Sequence, residues 1–541
     1  MPWTARVTFD LLDQAESVVT ANVAGVFDER CQAVFNGPGS GQLSIDPATT
    51  VAAILAAFPI GHHIQVKVDG VAIFTWTIED RDAMSVSPDE EVGLFVQLAG
   101  RGWACVMERA VTFPSAPLTS RPAPDYRIFS FASYDYPNEA DGWVAATSHG
   151  EQGTFNPDRF SYDAFGNTVP APANWSVPTA EWIWGDGTDD EGVCYFRRTY
   201  NAAGPVLVAI EVTADNFYTL YLDGTPIKAD TTNPACWRDK QRYEVELSTG
   251  DHVFAAKVEN LPGDGINPNP AGLLFAMFTM DAGGLPDTVL LVSDDSWLTL
   301  AYPTVEPGWT AGQIIGVLRA EGATRGVLGG LAEGFDDVND TASVAWATIP
   351  LLSVPMGDSL LRVVQQLERE GWIDWRMAGD VFRLDMWNKG GLTTSSGVTY
   401  FAAPDDDTPG NIAELHHVDA HPIRNSLLVR YPGSYTLVDD AASITANGLH
   451  EGYLTVDASS VDEAARKGEA ALDEVGSNDE SATAQIEPLG ADIPFVDVLV
   501  GEFATVPNRA GTPTSYRAVA LSLENPEGDP LFVVDFNRRP G

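Results

Sequence analysis

Val206 to Gly224 reads VLVAIEVTADNFYTLYLDG. Val206, Val208, Ile210 and Val212 recur at every second position, and so do Tyr218, Leu220 and Leu222 before the pair Asp223-Gly224. A period of two places each apolar row on one face of an extended strand, and Asp-Gly suits the two-residue turn of a hairpin. Tyr243, Val245 and Leu247 alternate with Glu244 and Glu246 in the same way. Closely spaced strands with turn residues between them and almost no helical period predict a β-sandwich from about Asp125 to Pro303.

The flanks have a different texture. Gln65 to Thr77, QVKVDGVAIFTWT, again reads as two strands about an Asp-Gly turn. In Val92 to Pro114, a strand leads into a segment whose Trp103, Val106 and Met107 have the spacing of one helical face, with Pro114 as its stop. Beyond Pro307, Ala311 to Leu331 carries Ile314, Ile315, Val317 and Leu318 on a helix. Asp358 is placed to cap a second helix, whose stripe of Leu360, Leu361, Val363, Val364 and Leu367 ends at Gly371. Strands are expected between Ile373 and Met386, from Ser426 to Arg430 and in the last forty residues, with a helix over Val461 to Val475 after Ser460. The fold class is therefore multidomain, mainly β with α+β parts, its β domains interrupted by a β-sandwich. The expected segments are 1–125, 126–303, 304–430 and 431–541.

Composition narrows the function. A chain of 541 residues exceeds one ordinary core. With 76 acidic residues against 31 basic ones, its formal charge of -45 excludes an electrostatic grip on nucleic acid or anionic lipid. Cys31, Cys105, Cys194 and Cys236 lie far apart with no zinc spacing, which fits folding in a cytoplasm. Neither a signal peptide nor an apolar run of about 20 residues is seen, so neither export nor a membrane span is expected.

Candidate site residues gather in AEWIWGDGTDDEGVCYFRRTY, Ala180 to Tyr200. Trp182 and Trp184 stand two apart, so a regular strand turns both to one face, where they either stack on a sugar ring or fill a core. Asp186, Asp189, Asp190 and Glu191 offer hard oxygens for calcium, or form a solvated turn; EF-hand spacing is absent, and no metal is expected. Arg197 and Arg198 point to opposite faces. His416, His417 and His421 lack the spacing of a helical metal motif, and His62 and His63 read as loop. No nucleophile motif, phosphate loop or placed carboxylate pair is found, so no enzyme activity and no cofactor are expected.

Four parts of the chain carry a resemblance. Gly100 to Pro114, GRGWACVMERAVTFP, resembles a Gly-Arg segment of hub, or minor tail, proteins of long-tailed bacteriophages. Pro307 to Trp346 looks like a following region in actinobacterial phage tail proteins, and Asn425 to Val429 with Val498 to Gly511 resembles the end of the same fold, with Gly501-Glu502 where the family often has Gly-Asp. The middle region is similar to galactose-binding-like domains beside rhamnosidase-type glycosidases, through AEWIW, CYFRRTY, Thr213 to Ile227, Trp237 and Thr249 to Asn260. The resemblance implies a structural virion protein at the tail tip, made in the host cytoplasm and assembling as a trimeric ring. Its implied partners are distal tail, tape-measure and other minor tail proteins, with DNA passing through the lumen without a binding site. It also implies that the insertion takes a host-envelope glycan, with Trp182, Trp184, Trp237, Asp186, Asp189 and Asn260 as candidate contacts. The rival readings are a carbohydrate-binding accessory protein of a secreted glycoside hydrolase system and an unrecognised glycosidase.

Overall fold

Both Asp-Gly pairs form the hairpins expected of them. Asp69 and Gly70 have φ of 50° and 84°, Asp223 and Gly224 of 49° and 80°, the left-handed pair that a two-residue turn between twisted strands requires. They join His63–Val68 to Val71–Thr77 and Phe217–Leu222 to Thr225–Asp230. The computed structural model describes residues 6–46, 51–85, 94–112, 126–130, 143–151, 175–185, 192–232, 236–238, 240–261, 271–301, 308–403, 410–418, 424–431, 434–456, 461–475, 481–487, 492–525 and 530–537. The chain divides into two compact units, one of Met1–Thr112, Ala311–Ala347 and Gly357–Gly541, the other of Phe113–Thr310 and Thr348–Met356.

In the first unit a ten-stranded sheet draws on both ends of the chain. Val26–Val34 pairs antiparallel with Pro513–Asn525, in register from Glu29 opposite Asn525 to Val34 opposite Ala520. Ser40–Ile45, Leu94–Arg101 and Asp80–Ser85 extend it on one side, and Leu531–Asn537, Ser481–Ile486 and Ile412–Val418 on the other. Strands from both sides of the boundary expected at 430 thus share one sheet. The core beneath it joins Leu43, Trp76 and Leu98 to Tyr516, Phe532 and Phe536, all buried.

Several local expectations are refined. Trp103–Arg109 is a 3-10 helix with five consecutive buried residues, not an α-helix with one apolar face. Gly100 precedes it because a Cβ there would lie 1.8 Å from the Thr77 carbonyl oxygen. Ser359, not Asp358, caps Leu360–Arg369, its hydroxyl accepting from the Arg362 N–H at 3.3 Å, while Asp358 pairs with the Arg362 guanidinium at 3.2 Å. His63 opens a strand instead of sitting in a loop; it is buried, with Nδ1 3.0 Å from Thr77 Oγ1. A helix over Ala441–Asn447, capped by Asp440, had no apolar stripe to announce it. No helix among the described residues is long and apolar enough to cross a membrane.

The second unit is a sandwich. One sheet runs Val144–Ala145, Leu298–Ala301, Gly192–Ala202, Gly250–Asn260, Phe217–Leu222, Thr225–Asp230. The facing sheet runs Thr147–Glu151, Glu181–Trp184, Gly272–Met280, Val206–Asp215, Gln241–Leu247, with Pro286–Val292 beside Gly272–Met280. Val208, Ile210 and Val212 meet Phe196, Phe254 and Val258 in the core between them. Leu351–Pro355, expected in the segment after 304, belongs here because it pairs with Tyr126–Ser130.

Two buried carboxyls of the first unit respond oppositely to pH. Asp374 accepts from Asn36 Nδ2 at 3.1 Å and from the Gly390 N–H at 2.9 Å, with Lys389 Nζ at 3.1 Å and Arg517 at 3.9 Å. Burial alone would push its acidity down, but the charge of Lys389, these hydrogen bonds and Arg517 outweigh burial and hold it below the usual carboxylate range. Its contribution is present above its ordinary value and lost as pH falls through the folded one. Glu29 is fully buried, and neither of its oxygens has a hydrogen-bond partner among the described residues. Burial raises it well above its ordinary 4.5, so its stabilising protonated form prevails below that value and its contribution is lost as pH rises through the folded value.

Asp374→Ala is therefore expected to cost about 3–5 kcal/mol in urea unfolding at neutral pH, because Lys389 and Arg517 lose their buried counter-charge. Glu29→Gln should leave the unfolding midpoint near wild type at pH 4 and raise it progressively towards pH 7; a midpoint difference that stays flat with pH refutes the assignment.

Candidate functional site

The two tryptophans of Glu181–Trp184 do not share a face. Against Thr147–Glu151 the register slips between Ser148 and Glu151, so the period of two breaks within this short strand. Ile183 and Trp184 both enter the core between the sheets, where Trp184 meets Phe196 at a ring distance of 5.8 Å. Trp182 lies on the other side of its sheet with Trp175, Ala209, Leu274, Ala276 and Phe278. It covers Gly272, whose Cβ, if present, would stand 2.6 Å from the indole. At 3% and 0% exposure, Trp182 and Trp184 offer no ring face to a sugar, which corrects their candidacy.

Trp237 is half-buried against the Trp182 cluster, and Asn260 is buried at the end of its strand. Asn216 ties the two positions together. Its carbonyl accepts from Cys236 Sγ at 2.6 Å, beside Trp237, and its side-chain oxygen accepts from the Leu261 N–H at 2.7 Å, next to Asn260. Burial pushes the Cys236 thiol up to about 12, which removes it as a nucleophile at neutral pH. Asp186, Asp189, Asp190, Glu191 and His421 lie outside the described residues. Arg197 stacks over Trp143 at 5.2 Å on one face, and Arg198 donates to the Ser296 carbonyl. His416 sits exposed, 2.8 Å from Glu414. Among the described residues no group of three metal-ligating side chains comes together.

Two polar clusters escaped the sequence reading. Glu211 is fully buried on the Trp182 side of its sheet, accepting from the Ser176 N–H at 3.0 Å, Ser176 Oγ at 2.7 Å and Lys240 Nζ at 2.8 Å. Its signal was a lone carboxylate within an apolar strand. Asp223, His252 and Ser248 form an outline of a catalytic triad: His252 Nδ1 is 2.6 Å from Asp223 Oδ2, and Nε2 is 3.4 Å from Ser248 Oγ. Yet Nε2 also lies 3.0 Å from the Ser248 carbonyl oxygen, an acceptor that demands a donated N–H. Donation from Nε2–H to that carbonyl leaves Nε2 without a lone pair for the serine hydroxyl. Asp223 Oδ1 accepts from the Val253 N–H at 2.8 Å as well, so the trio ties the Asp223-Gly224 hairpin to the connection between Gln241–Leu247 and Gly250–Asn260, which crosses from one sheet to the other.

The sequence matches no protein-family description and no curated protein. Its structural neighbours include phage tail proteins. The 43 kDa tail protein of prophage MuSo2 from Shewanella oneidensis aligns over 98% of each chain at 8% identity and a TM-score of 0.47. The tail protein from Neisseria meningitidis MC58 aligns over 99% of this chain and 97% of its own at 7% identity and 0.45. An α-L-rhamnosidase of Streptomyces avermitilis, complexed with L-rhamnose, covers 57% of this chain and 24% of its own at 12% identity and 0.20. Overlap at this level carries no function across.

Trp182→Ala and Trp184→Ala are each expected to cost about 3–5 kcal/mol in denaturant unfolding of the whole chain, as for other buried indoles. Trp237→Ala, at a half-buried position, should cost clearly less; a larger loss there than at Trp184 contradicts the placement.

Proposed function

We propose that this chain is a non-enzymatic structural protein of a phage tail, a hub at the tail tip that links the distal tail to the tip and assembles in several copies around the axis. One observation carries the reading. Segments that resemble a tail hub, taken from opposite ends of the sequence, become strands of a single sheet: Leu94–Arg101 leads into the Gly-Arg motif, and Phe503–Pro507 follows Gly501-Glu502. The motif residues have defined work there. Arg101 spans Glu79 and Glu108 with four hydrogen bonds of 2.7 to 2.9 Å. Gly501 takes a φ of 91°, and Glu502 turns back to accept from the Leu499 N–H at 3.1 Å. The second unit, Phe113–Thr310 with Thr348–Met356, interrupts that body as an insertion with a core of its own.

A strongly acidic chain suits a channel through which DNA passes without adhering, since like charges repel along the whole path. A host-glycan role for the insertion rests on the Trp237 and Asn260 end of the sandwich, because Trp182 and Trp184 are enclosed.

Gold-labelled antibody against the purified chain should decorate the distal end of tails in virions that carry it. Decoration of the capsid or along the tail shaft overturns the tail-tip assignment.

A further inference from the structure

We infer that two copies of this chain join face to face, in reverse strand direction, through the exposed side of the sheet formed by Ser434–Asp439, Ser426–Tyr431 and Glu451–Thr455. The order of the three strands puts Ser426–Tyr431 in the centre. One side of the sheet is closed: Leu427, Val429 and Val438 are buried with Ala464 and Leu472 of the helix Val461–Val475. The other side is open and strongly apolar, with Leu428 41%, Leu437 59%, Tyr435 55% and Tyr453 57% exposed.

The register sorts this open side into three rows. The exposed Asp439 and Glu451 flank Ser426, which is itself buried, Leu437 and Tyr453 flank Leu428, and Tyr435 and Thr455 flank Arg430. An acidic row, an apolar row and a basic row therefore succeed one another at about 7 Å intervals, two residues of strand each. Arg430 makes its hydrogen bond to Tyr453 and no ion pair with any described carboxylate, although the chain holds 76 acids.

Such a face complements itself. A two-fold axis lying across the strands through the Leu428 row sets Leu428, Leu437 and Tyr453 against their own copies. It also brings each Arg430 between the partner's Asp439 and the partner's Glu451. An anionic ligand finds one cation on this face, Arg430, and two acids at its other end, Asp439 and Glu451, which argues against an anion as the occupant. Three strands about 4.8 Å apart and some 20 Å long give a face of about 300 Å², well below the roughly 800 Å² per partner of a standard stable interface. The pair is thus reversible and concentration-dependent. It is an isologous contact, distinct from the head-to-tail contacts that close a ring, so it stands or falls apart from the tail reading.

Sedimentation equilibrium of the full chain tests this, read with thermal melts, which should stay unchanged because every altered side chain is exposed. Wild type should pass from single to doubled mass as concentration rises to about 100 µM, a range that reports weak association. Leu437→Asp should abolish the doubling, and Arg430→Glu should weaken it at least tenfold. Combining Arg430→Glu with Asp439→Arg and Glu451→Arg should restore it, since the three rows are then complementary with signs exchanged. A wild type that stays single throughout, a doubling unaffected by Leu437→Asp, a triple variant no tighter than Arg430→Glu, or a defined odd-numbered assembly in place of the pair overturns the inference.

Discussion

The pairing of Val26–Val34 with Pro513–Asn525 is the constraint on which the first unit depends. It brings Gln32 within 3.1 Å of Ser522, 490 positions away in sequence, and joins apolar residues from both ends in one core. Closing so large a loop is costly, but the cost grows only with the logarithm of its length. Lengthening it by the insertion Phe113–Thr310 multiplies its length by less than two, which adds no more than about 0.6 kcal/mol. A whole sandwich can therefore interrupt the sequence of the first unit at little thermodynamic penalty, provided it buries its own apolar surface. The two tightly filled cores meet that condition separately.

Scarcity of cations shapes the rest. The chain has six lysines, and most are committed to internal partners. Lys67 pairs with Asp10, Lys240 with Glu211, Lys389 with Asp374 and Lys467 with Glu370, while Lys257 lies over the Tyr195 ring. Arg517, also buried, stacks between Phe35 and Phe503 at 5.1 and 4.8 Å and donates to the Leu392 carbonyl at 3.1 Å. Cations spent on buried acids do not neutralise the outside, so the formal charge understates how uniformly acidic the exposed surface is. Arg430, exposed between two tyrosines, departs from that pattern.

Much of the β architecture was legible because alternation and turn chemistry are local. The Asp-Gly hairpins, the rows of Val206–Asp215 and the helix Val461–Val475 required no knowledge of distant neighbours. Trp182 and Trp184 failed for a physical reason: a period of two predicts a shared face only while the strand stays in register, and the slip against Thr147–Glu151 comes from the partner strand. Ser359 displaced Asp358 as a cap because Asp358 had a competing partner in Arg362. Asn36, Asp374, Lys389 and Arg517 could not have been grouped from sequence, since nothing in a stretch of chain signals which remote charge will meet it. The Asp223, Ser248 and His252 cluster was hidden for the same reason, and only the placement of the Ser248 carbonyl separates a clamp from a catalytic base.

Acid response follows from combining these parts. As pH falls, carboxylates across the surface protonate and the mutual repulsion of a highly anionic chain relaxes, which favours the compact state. Glu29 acts in the same direction, being accommodated best when neutral. Asp374 opposes both, because its protonation removes the counter-charge that justifies burying Lys389 and Arg517. Surface relief is spread over many screened groups, each worth little, whereas the Asp374 junction ties residues 36, 374, 389 and 517 into one buried cluster. The first unit should therefore withstand mild acid and then yield once Asp374 titrates, because that junction and not the screened surface sets its acid limit.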